Sequence, residues 1–330
     1  MNPLKLSLCV VALNEEEFLP SLLEDLRKQE YPHGLTEIVL VDSGSRDKTK
    51  EIMKSFASEK NDFYSVQVLD NPQKIQASGW NIAITHATGD VISRIDAHTS
   101  VPSQFSKLVM NHIKNGEDVV GGIRPCIIEK ETSWAKTLLA VENSLFGSSI
   151  NSSRHSKEVS YVKTMFHASY RREVFEKVGL FNEELLRTED NEMHYRIRKA
   201  GYRLLYDPEI VSYQYARSSL ARMIKQKYGN GYWVGVTLGI CPKCISLYHL
   251  IPAAFVLAII VTSILLACRI WQFAVVMWIL YAMFTILSTV VALVEYGFSL
   301  YMLLMPFLFH RLPNGCQNIE MQKANYLTIK

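Results

Sequence analysis

Between Glu209 and Glu295 the 330-residue chain has no acidic residue at all. Charge of either sign is scarce beyond residue 244, where only Arg269, Arg311, Lys323, Lys330, Glu295 and Glu320 occur. The first 244 residues are charged like an ordinary soluble domain, and the remainder is composed like chain that lives in lipid. No large excess of one sign exists overall: 35 basic and 32 acidic residues leave +3, too little to recruit nucleic acid by electrostatics. Six cysteines are too few for a disulfide framework in a chain of this length, which favours a reducing compartment. A cleaved leader is not expected either, because the apolar run at 6–13 is short and Glu15–Glu17 close it. A secreted disulfide scaffold and a purely soluble protein are therefore excluded.

What is present begins with an alternation. LSLCVVAL at 6–13 is a short β-branched run suited to a strand buried on both faces. Asn14 and three glutamates follow, then Phe18, Leu19, Leu22, Leu23 and Leu26 at helical spacing, with Asn14 as the expected cap and the glutamates at the positive helix end. The cycle repeats with strands at 37–42, 65–70 and 91–96 and helices at 47–57 and roughly 76–87. This rhythm predicts an α/β fold, a parallel sheet with helices on both faces. Ligands of such sheets sit at the carboxyl ends of the strands, which singles out Asn14, Asp42, Asp70 and Asp96. From about 120 to 215 the pattern is less regular. It predicts helices at Arg172–Val178 and from about Asp190 to Ala200, each closed by a glycine, and a strand near 203–207 stopped by Pro208.

The tail reads differently. Arg217, Arg222, Lys225, Lys227 and Lys243 interleave with Tyr228, Tyr232 and Trp233. Leu220, Met223, Ile224 and Tyr228 share one helical face, so 216–244 reads as a basic amphipathic segment lying on anionic headgroups, or as a solvated basic helix packed on the domain. Runs of 24 and 25 residues without charge follow at 245–268 and 270–294, each longer than the roughly 20 needed to cross a bilayer. Arg269 alone separates them, which predicts a hairpin with a tight turn. The positive charge before the first run places residues 1–215 on the cytoplasmic side of a cell membrane. Tyr296–Phe309, with Pro306, is a short third hydrophobic segment ending at 310, and 311–330 a polar tail.

Three constellations carry chemistry. Asp42 opens DSGSRDKT, where Ser43, Gly44 and Ser45 allow a sharp turn; its carboxylate suits a pyrimidine N–H or a ribose hydroxyl, or merely caps the turn. Asp96-Ala97-His98 puts a carboxylate and an imidazole two residues apart on extended chain. That set suits Mn²⁺ or Mg²⁺ bridged to a diphosphate, or else a capping Asp beside a surface His. Glu189 and Asp190 stand at a helix start, where the dipole favours anions and where an ionised Asp in a cleft would serve as a general base.

Taken in order, VVALNEEEFL, VDSGSRDKT, NPQKIQASGWNIAITHATGDVISRIDAH and VGLFNEELLRTEDNEMHYRIRKAGYRL resemble the motifs of glycosyltransferase family 2 over roughly residues 5–235. The Arg-Ile-Asp-Ala-His form and the hydrophobic tail are most similar to its succinoglycan-type, membrane-anchored branch. The resemblance implies a GT-A, Rossmann-like sheet and inverting transfer from a UDP-sugar to a lipid-linked saccharide in exopolysaccharide or capsule biosynthesis. By the same resemblance Asp42 would contact the uridine, and Asp96 and His98 would hold the metal and diphosphate. Asp190, with Glu189 beside it, would deprotonate the acceptor, while Glu15, Lys74 and Arg94 would approach the nucleotide or its phosphates. His98 stands where the family has a second aspartate, and Lys163 where this branch often has an acid. The Gln-x-x-Arg-Trp motif of processive synthases is missing; QKYGNGYW, beginning at Gln226, stands near its place. The alternatives are a processive synthase, which few spans and the missing motif disfavour, and a nucleotide-binding scaffold without turnover. Cys241-Pro-Lys-Cys244 has no second pair for zinc, and Gly121-Gly122 reads as a turn or a close approach to sugar.

Overall fold

A computed structural model describes residues 3–128, 132–143, 158–216 and 219–296. The chain divides into two compact units, one from residues 3–125 and 158–214, the other from 126–143 and 215–296.

In the first unit, β1 (Leu6–Ala12), β2 (Thr36–Asp42), β3 (Ser65–Asp70) and β4 (Val91–Asp96) are parallel, in the order β3-β2-β1-β4. The helices between them are α1 (Leu19–Arg27), α2 (Thr49–Ser58) and α3 (Gln76–His86). A two-residue β5 (Thr99–Ser100) and α4 (Phe105–Lys114) lead to β6 (Val119–Ile123). The eight-stranded sheet is mixed, not wholly parallel. It runs on from β4 through β9 (Ser169–Arg171), antiparallel to both neighbours, to β6, β10 (Leu204–Val211) and β8 (Ser160–Val162).

Each strand serves two cores because alternate side chains leave opposite faces. Leu6, Leu8 and Val10 of β1 and Ile38 and Leu40 of β2 pack with Leu22 and Leu26 of α1, Met53 of α2 and Val109 of α4. Cys9, Val39, Val41 and Ile92 pack on the other face with Trp80 of α3, Phe175 of α6 (Arg172–Val178) and Met193 of α7 (Glu189–Lys199). Gly179 and Gly201 follow α6 and α7 at φ 80° and 96°, the left-handed closure that glycine supplies without steric cost.

Three expectations are corrected here. Asn14 does not cap α1, which starts after Phe18 without a side-chain cap; it adopts φ 55° and accepts the Arg46 amide at 2.8 Å, joining two strand-end loops. Pro208 does not end β10: the strand passes through it at an irregularity, and the register with β6 shifts between Asp207 and Val211. Gly121 and Gly122 lie within β6, and a Cβ on Gly122 would come within 1.9 Å of the Ile210 carbonyl oxygen. The close approach at Gly122 is by the protein's own backbone.

The second unit holds β7 (Cys126–Ile127), α5 (Ser133–Asn143), α8 (Leu220–Ile240), α9 (Ile251–Ala267) and α10 (Gln272–Tyr296); β11 (Tyr213–Tyr215) links the units in sequence. The buried stripe of α8 is Met223, Gly229, Trp233 and Thr237, so of the expected apolar face only Met223 is buried. Arg222 and Lys225 are exposed, whereas Lys227 is turned to Glu142 of α5 at 2.8 Å. Cys241 and Cys244 are joined as a disulfide, not left as free thiols.

Two stretches, Leu247–Ala267 and Gln272–Val291, are long and apolar enough to cross a membrane, with mean hydropathies of 2.7 and 2.2. Leu257, Ile264, Leu280 and Met283 on them are each about three-fifths exposed, unlike residues of a soluble core helix. Arg269 sits at φ 63° in the short connection, and Phe255 stacks on Tyr281 with ring centroids 5.0 Å apart. The third hydrophobic segment beyond Tyr296 and the polar tail lie outside the described residues, as does Arg217.

Candidate active site

The parallel register brings the carboxyl ends of the strands level: Ala12 pairs with Asp42, Asp42 with Asp70, and Val11 with Asp96. Asp42 is buried to 2% exposure, its carboxylate accepting the amides of Ser45 at 3.2 Å and Gly44 at 3.3 Å. Gly44 has φ 79°, and a Cβ there would meet the Lys74 side chain at 2.7 Å. The exposed lysine thus folds over the Asp42 turn, from a backbone at φ 58°. Asp70, by contrast, lies on the surface and pairs with Lys50 at 2.5 Å.

Asp96 closes β4 amid cationic and polar neighbours. Its Oδ2 lies 3.1 Å from His167 Nε2 and 3.4 Å from Arg124 Nη1, while Oδ1 has a long 3.4 Å contact from Gln76. Burial alone would push this carboxyl up; the charge and hydrogen bond of His167, with the charges of His98 and Arg124, hold it well below the usual carboxylate range. His167 has φ 47° and hydrogen-bonds Ser212 at 2.8 Å through Nδ1. His98 Nδ1 lies 3.2 Å from Glu15, and its Nε2 lies 3.2 Å from the Gln214 side-chain amide. Among the described residues no three His, Cys, Asp or Glu side chains converge as a preformed metal cage. Asp96 Oδ1 is nevertheless a lightly held hard oxygen, and His98 can exchange a partner. A carboxylate oxygen and an imidazole are donor types that suit a divalent ion such as Mn²⁺ or Mg²⁺.

Glu189 and Asp190 open α7 behind Thr188, whose φ of 67° is a strained conformation for a β-branched residue. Asp190 is ion-paired with Arg94 of β4; its side chain is 24% exposed, that of Arg94 only 5%. The guanidinium lies between the rings of Trp80 and Phe181, 4.5 and 4.4 Å from their centroids. Glu189 is buried and unlike its neighbour. Burial first, and then the charge of Asp190, push its carboxyl up to about 8, with Arg94 opposing, so at neutral pH it holds its proton. His194 lies fully buried on the same helix, bonded to Thr164 at 3.1 Å and Tyr170 at 2.9 Å, and burial lowers it to about 4.

Of the residues singled out by sequence, Asp42 and Lys74 come together, as do His98 and Glu15, with the His98 charge acting on Asp96, and Asp190 with Arg94. Arg94 faces Asp190 and is closed from solvent, a different partner from the phosphates expected of it. Gln226 belongs to α8 in the second unit. Sequence reading passed over His167, Arg124, Trp80, Phe181 and Tyr170. Trp80 and Phe181 lie inside the quoted motifs as apolar positions and the other three outside them; the folded chain, not a spacing in sequence, brings the five near.

The Glycosyl transferase family 2 profile matches residues 7–179. A succinoglycan biosynthesis protein, ExoA of Rhizobium meliloti, is 31% identical over 233 residues, 68% of each chain. A Methanococcus voltae dolichyl N-acetyl-alpha-D-glucosaminyl phosphate 3-beta-D-2,3-diacetamido-2,3-dideoxy-beta-D-glucuronosyltransferase is 27% identical, covering 92% of this chain and 93% of its own. Among solved structures, a mannosyltransferase of Pyrobaculum calidifontis in complex with GDP-Man and Mn²⁺ superposes with a TM-score of 0.57 at 18% identity, over 94% of this chain and 86% of that one. Staphylococcus aureus TarS 1-349 in complex with UDP-GlcNAc does so with 0.51 at 20% identity, over 65% and 59%. These two likenesses place the mixed sheet and its helices among GT-A folds. With the profile spanning more than half the chain, from β1 through α6, this protein belongs to glycosyltransferase family 2 and is a glycosyltransferase.

Proposed function

We propose that this enzyme moves a sugar, with inversion, from a UDP-sugar to a hydroxyl of a lipid-linked saccharide at the cytoplasmic face of a cell membrane, in exopolysaccharide or capsule biosynthesis. The observation that carries this reading is the alignment of Asp42 and Asp96 at the carboxyl ends of the strands flanking β1, with Lys74 folded over the Asp42 turn and the part-exposed Asp190 tethered to β4. Asp42 orients the uridine, and the Lys74 ammonium, folded over the same turn, meets the phosphates. Glu15 acts through His98, keeping its imidazole turned toward the strand end. Asp190 takes the proton of the acceptor hydroxyl as that oxygen attacks the anomeric carbon from the side opposite the diphosphate. Glu189, protonated, stays neutral beside it.

Asp96 with His98 would hold Mn²⁺ or Mg²⁺, which when bound neutralises charge building on the leaving diphosphate. The two apolar helices anchor the enzyme, and α8, with Gln226, lies at the lipid surface; the membrane, not a soluble pool, then presents the acceptor. The domains follow as 1–215 catalytic, 216–244 interfacial and 245–310 membrane-embedded. A membrane fraction of the full chain, given a panel of UDP-sugars and GDP-mannose with and without Mn²⁺, tests the reading. Transfer to lipid extract from one UDP-sugar supports it. Release from GDP-mannose alone would replace the donor class, and no turnover with any donor would favour a nucleotide-binding scaffold.

A further inference from the structure

Arg94 presents a problem that its sequence position does not explain. A guanidinium buried to this degree is costly unless every feature around it compensates. Here the compensation is assembled from four separate segments. Asp190 of α7 supplies the charge, and Tyr170 of β9 brings a hydroxyl that faces the same guanidinium. Trp80 of α3 and Phe181, in the loop between α6 and α7, supply two ring faces. The second ring is itself fastened: the Phe181 amide donates to Asn81 Oδ1 at 2.8 Å, and Asn81 Nδ2 donates to the Phe181 carbonyl at 2.9 Å. Asn81 adjoins Trp80, so α3 provides one wall and pins the other. The guanidinium is thus held flat between two fixed surfaces, with its Nε lacking any hydrogen-bond partner among the described residues.

A clamp of this kind does nothing for a phosphate, because Arg94 is closed off. Its partner Asp190 keeps a part-exposed carboxylate, 24% against the 5% of Arg94. We propose that Arg94, immobilised between Trp80 and Phe181, is the positioning residue that fixes the orientation of the Asp190 carboxylate toward the acceptor hydroxyl. It does not bind the donor. This inference rests on the reading of Asp190 as the base. The groups facing Asp190 are Arg94 from β4, Tyr170 from β9, and Glu189 and His194 from its own helix. Trp80 and Phe181 contribute only ring faces.

The test uses the full chain in detergent, with each variant's thermal unfolding recorded beside its kinetics. Arg94→Met should lower kcat by about 10²-fold while UDP affinity stays within about twofold of wild type. Arg94→Lys keeps the charge without the planar fork and should recover part of kcat. In an Asp190→Asn background, Arg94→Met should cost almost nothing further.

If Arg94→Met fails to fold, Phe181→Leu removes one ring wall and keeps the pair; kcat should then fall about tenfold with UDP binding intact. Parallel loss of UDP affinity and kcat would overturn the positioning role. So would full activity of Arg94→Met while Asp190→Asn is dead. Full activity of Asp190→Asn is a different result: it removes the base itself, and with it the reading on which this inference stands.

Discussion

Residues 6–86 and residues 91–211 build their polar centres by opposite means. In the first stretch Asp42 and Asn14 at the strand ends are satisfied by backbone of neighbouring loops, although Asp70 pairs with the Lys50 side chain. Asp42 takes the amides of Gly44 and Ser45, Asn14 takes that of Arg46, and the Glu15 amide donates to Thr49. In the second stretch the acids answer to side-chain cations drawn from distant elements. Asp190 is paired across 96 residues with Arg94, and Asp96 sits beside His167, 71 residues away. An acid held by local amides needs only its own loop to form; one held by a distant cation needs the whole sheet closed around it. In the proposed reading the uridine contact rests on the first arrangement, and the metal ligand and the base on the second.

The largest effect that would sharpen this contrast is expected at Asp96. Asp96→Ala should abolish transfer, since the proposed metal and diphosphate lose their hard oxygen. His98→Asp should keep activity with a changed preference between Mn²⁺ and Mg²⁺. Full turnover in EDTA would eliminate the metal from the account. Asp190→Asn comes next: transfer should fall by roughly 10²–10⁴ while UDP binding, followed by calorimetry, is retained. Equal loss of UDP affinity would make Asp190 a structural anion at a helix start, and the division between binding and chemistry would collapse. Asp42→Ala should do the reverse, weakening UDP by about 10- to 100-fold with kcat little changed. A kcat defect there without a binding defect would put Asp42 in the wrong half of the comparison.

The same contrast governs what the sequence discloses. Strands β1 to β4 and helices α1 to α3 were legible to within a residue or two, because alternating β-branched runs and amphipathic stripes are local signals. So were α6 and α7, closed by Gly179 and Gly201. The reversed strand β9 was not legible, because Ser169–Arg171 is three residues long and owes its place to partners on β4 and β6. The passage of β10 through Pro208 escaped for a related reason: a bulge is a property of a pair of strands. At the site, Asp42, Asp96 and Asp190 could be found by motif, but the partner of Arg94 could not. Nothing in Arg-Ile-Asp-Ala-His states that the arginine turns to α7 between two rings, since Trp80 and Phe181 meet it only in the folded sheet.

The smallest expected effect concerns Glu189, an acid of the second stretch that holds its proton. Its folded value of about 8 stands above the 4.5 of an unperturbed glutamate. Between those values the folded chain binds a proton that the unfolded chain has released. The associated stability is therefore fully present below pH 4.5 and is lost as pH rises through about 8, by up to about 1.4 kcal/mol per pH unit. His194, lowered to about 4 from 6.5, acts in the opposite sense, and so does His167, whose buried ring is also lowered. Those histidines gain stability as pH rises and have finished doing so by about 6.5. The window from pH 6.5 to 8 thus isolates the glutamate. Denaturant unfolding of the full chain in micelles should show stability falling across that window in the wild type and staying flat in Glu189→Gln. Parallel profiles would mean that Glu189 is ionised beside Asp190, leaving two adjacent anions against Arg94 and no neutral neighbour for the base.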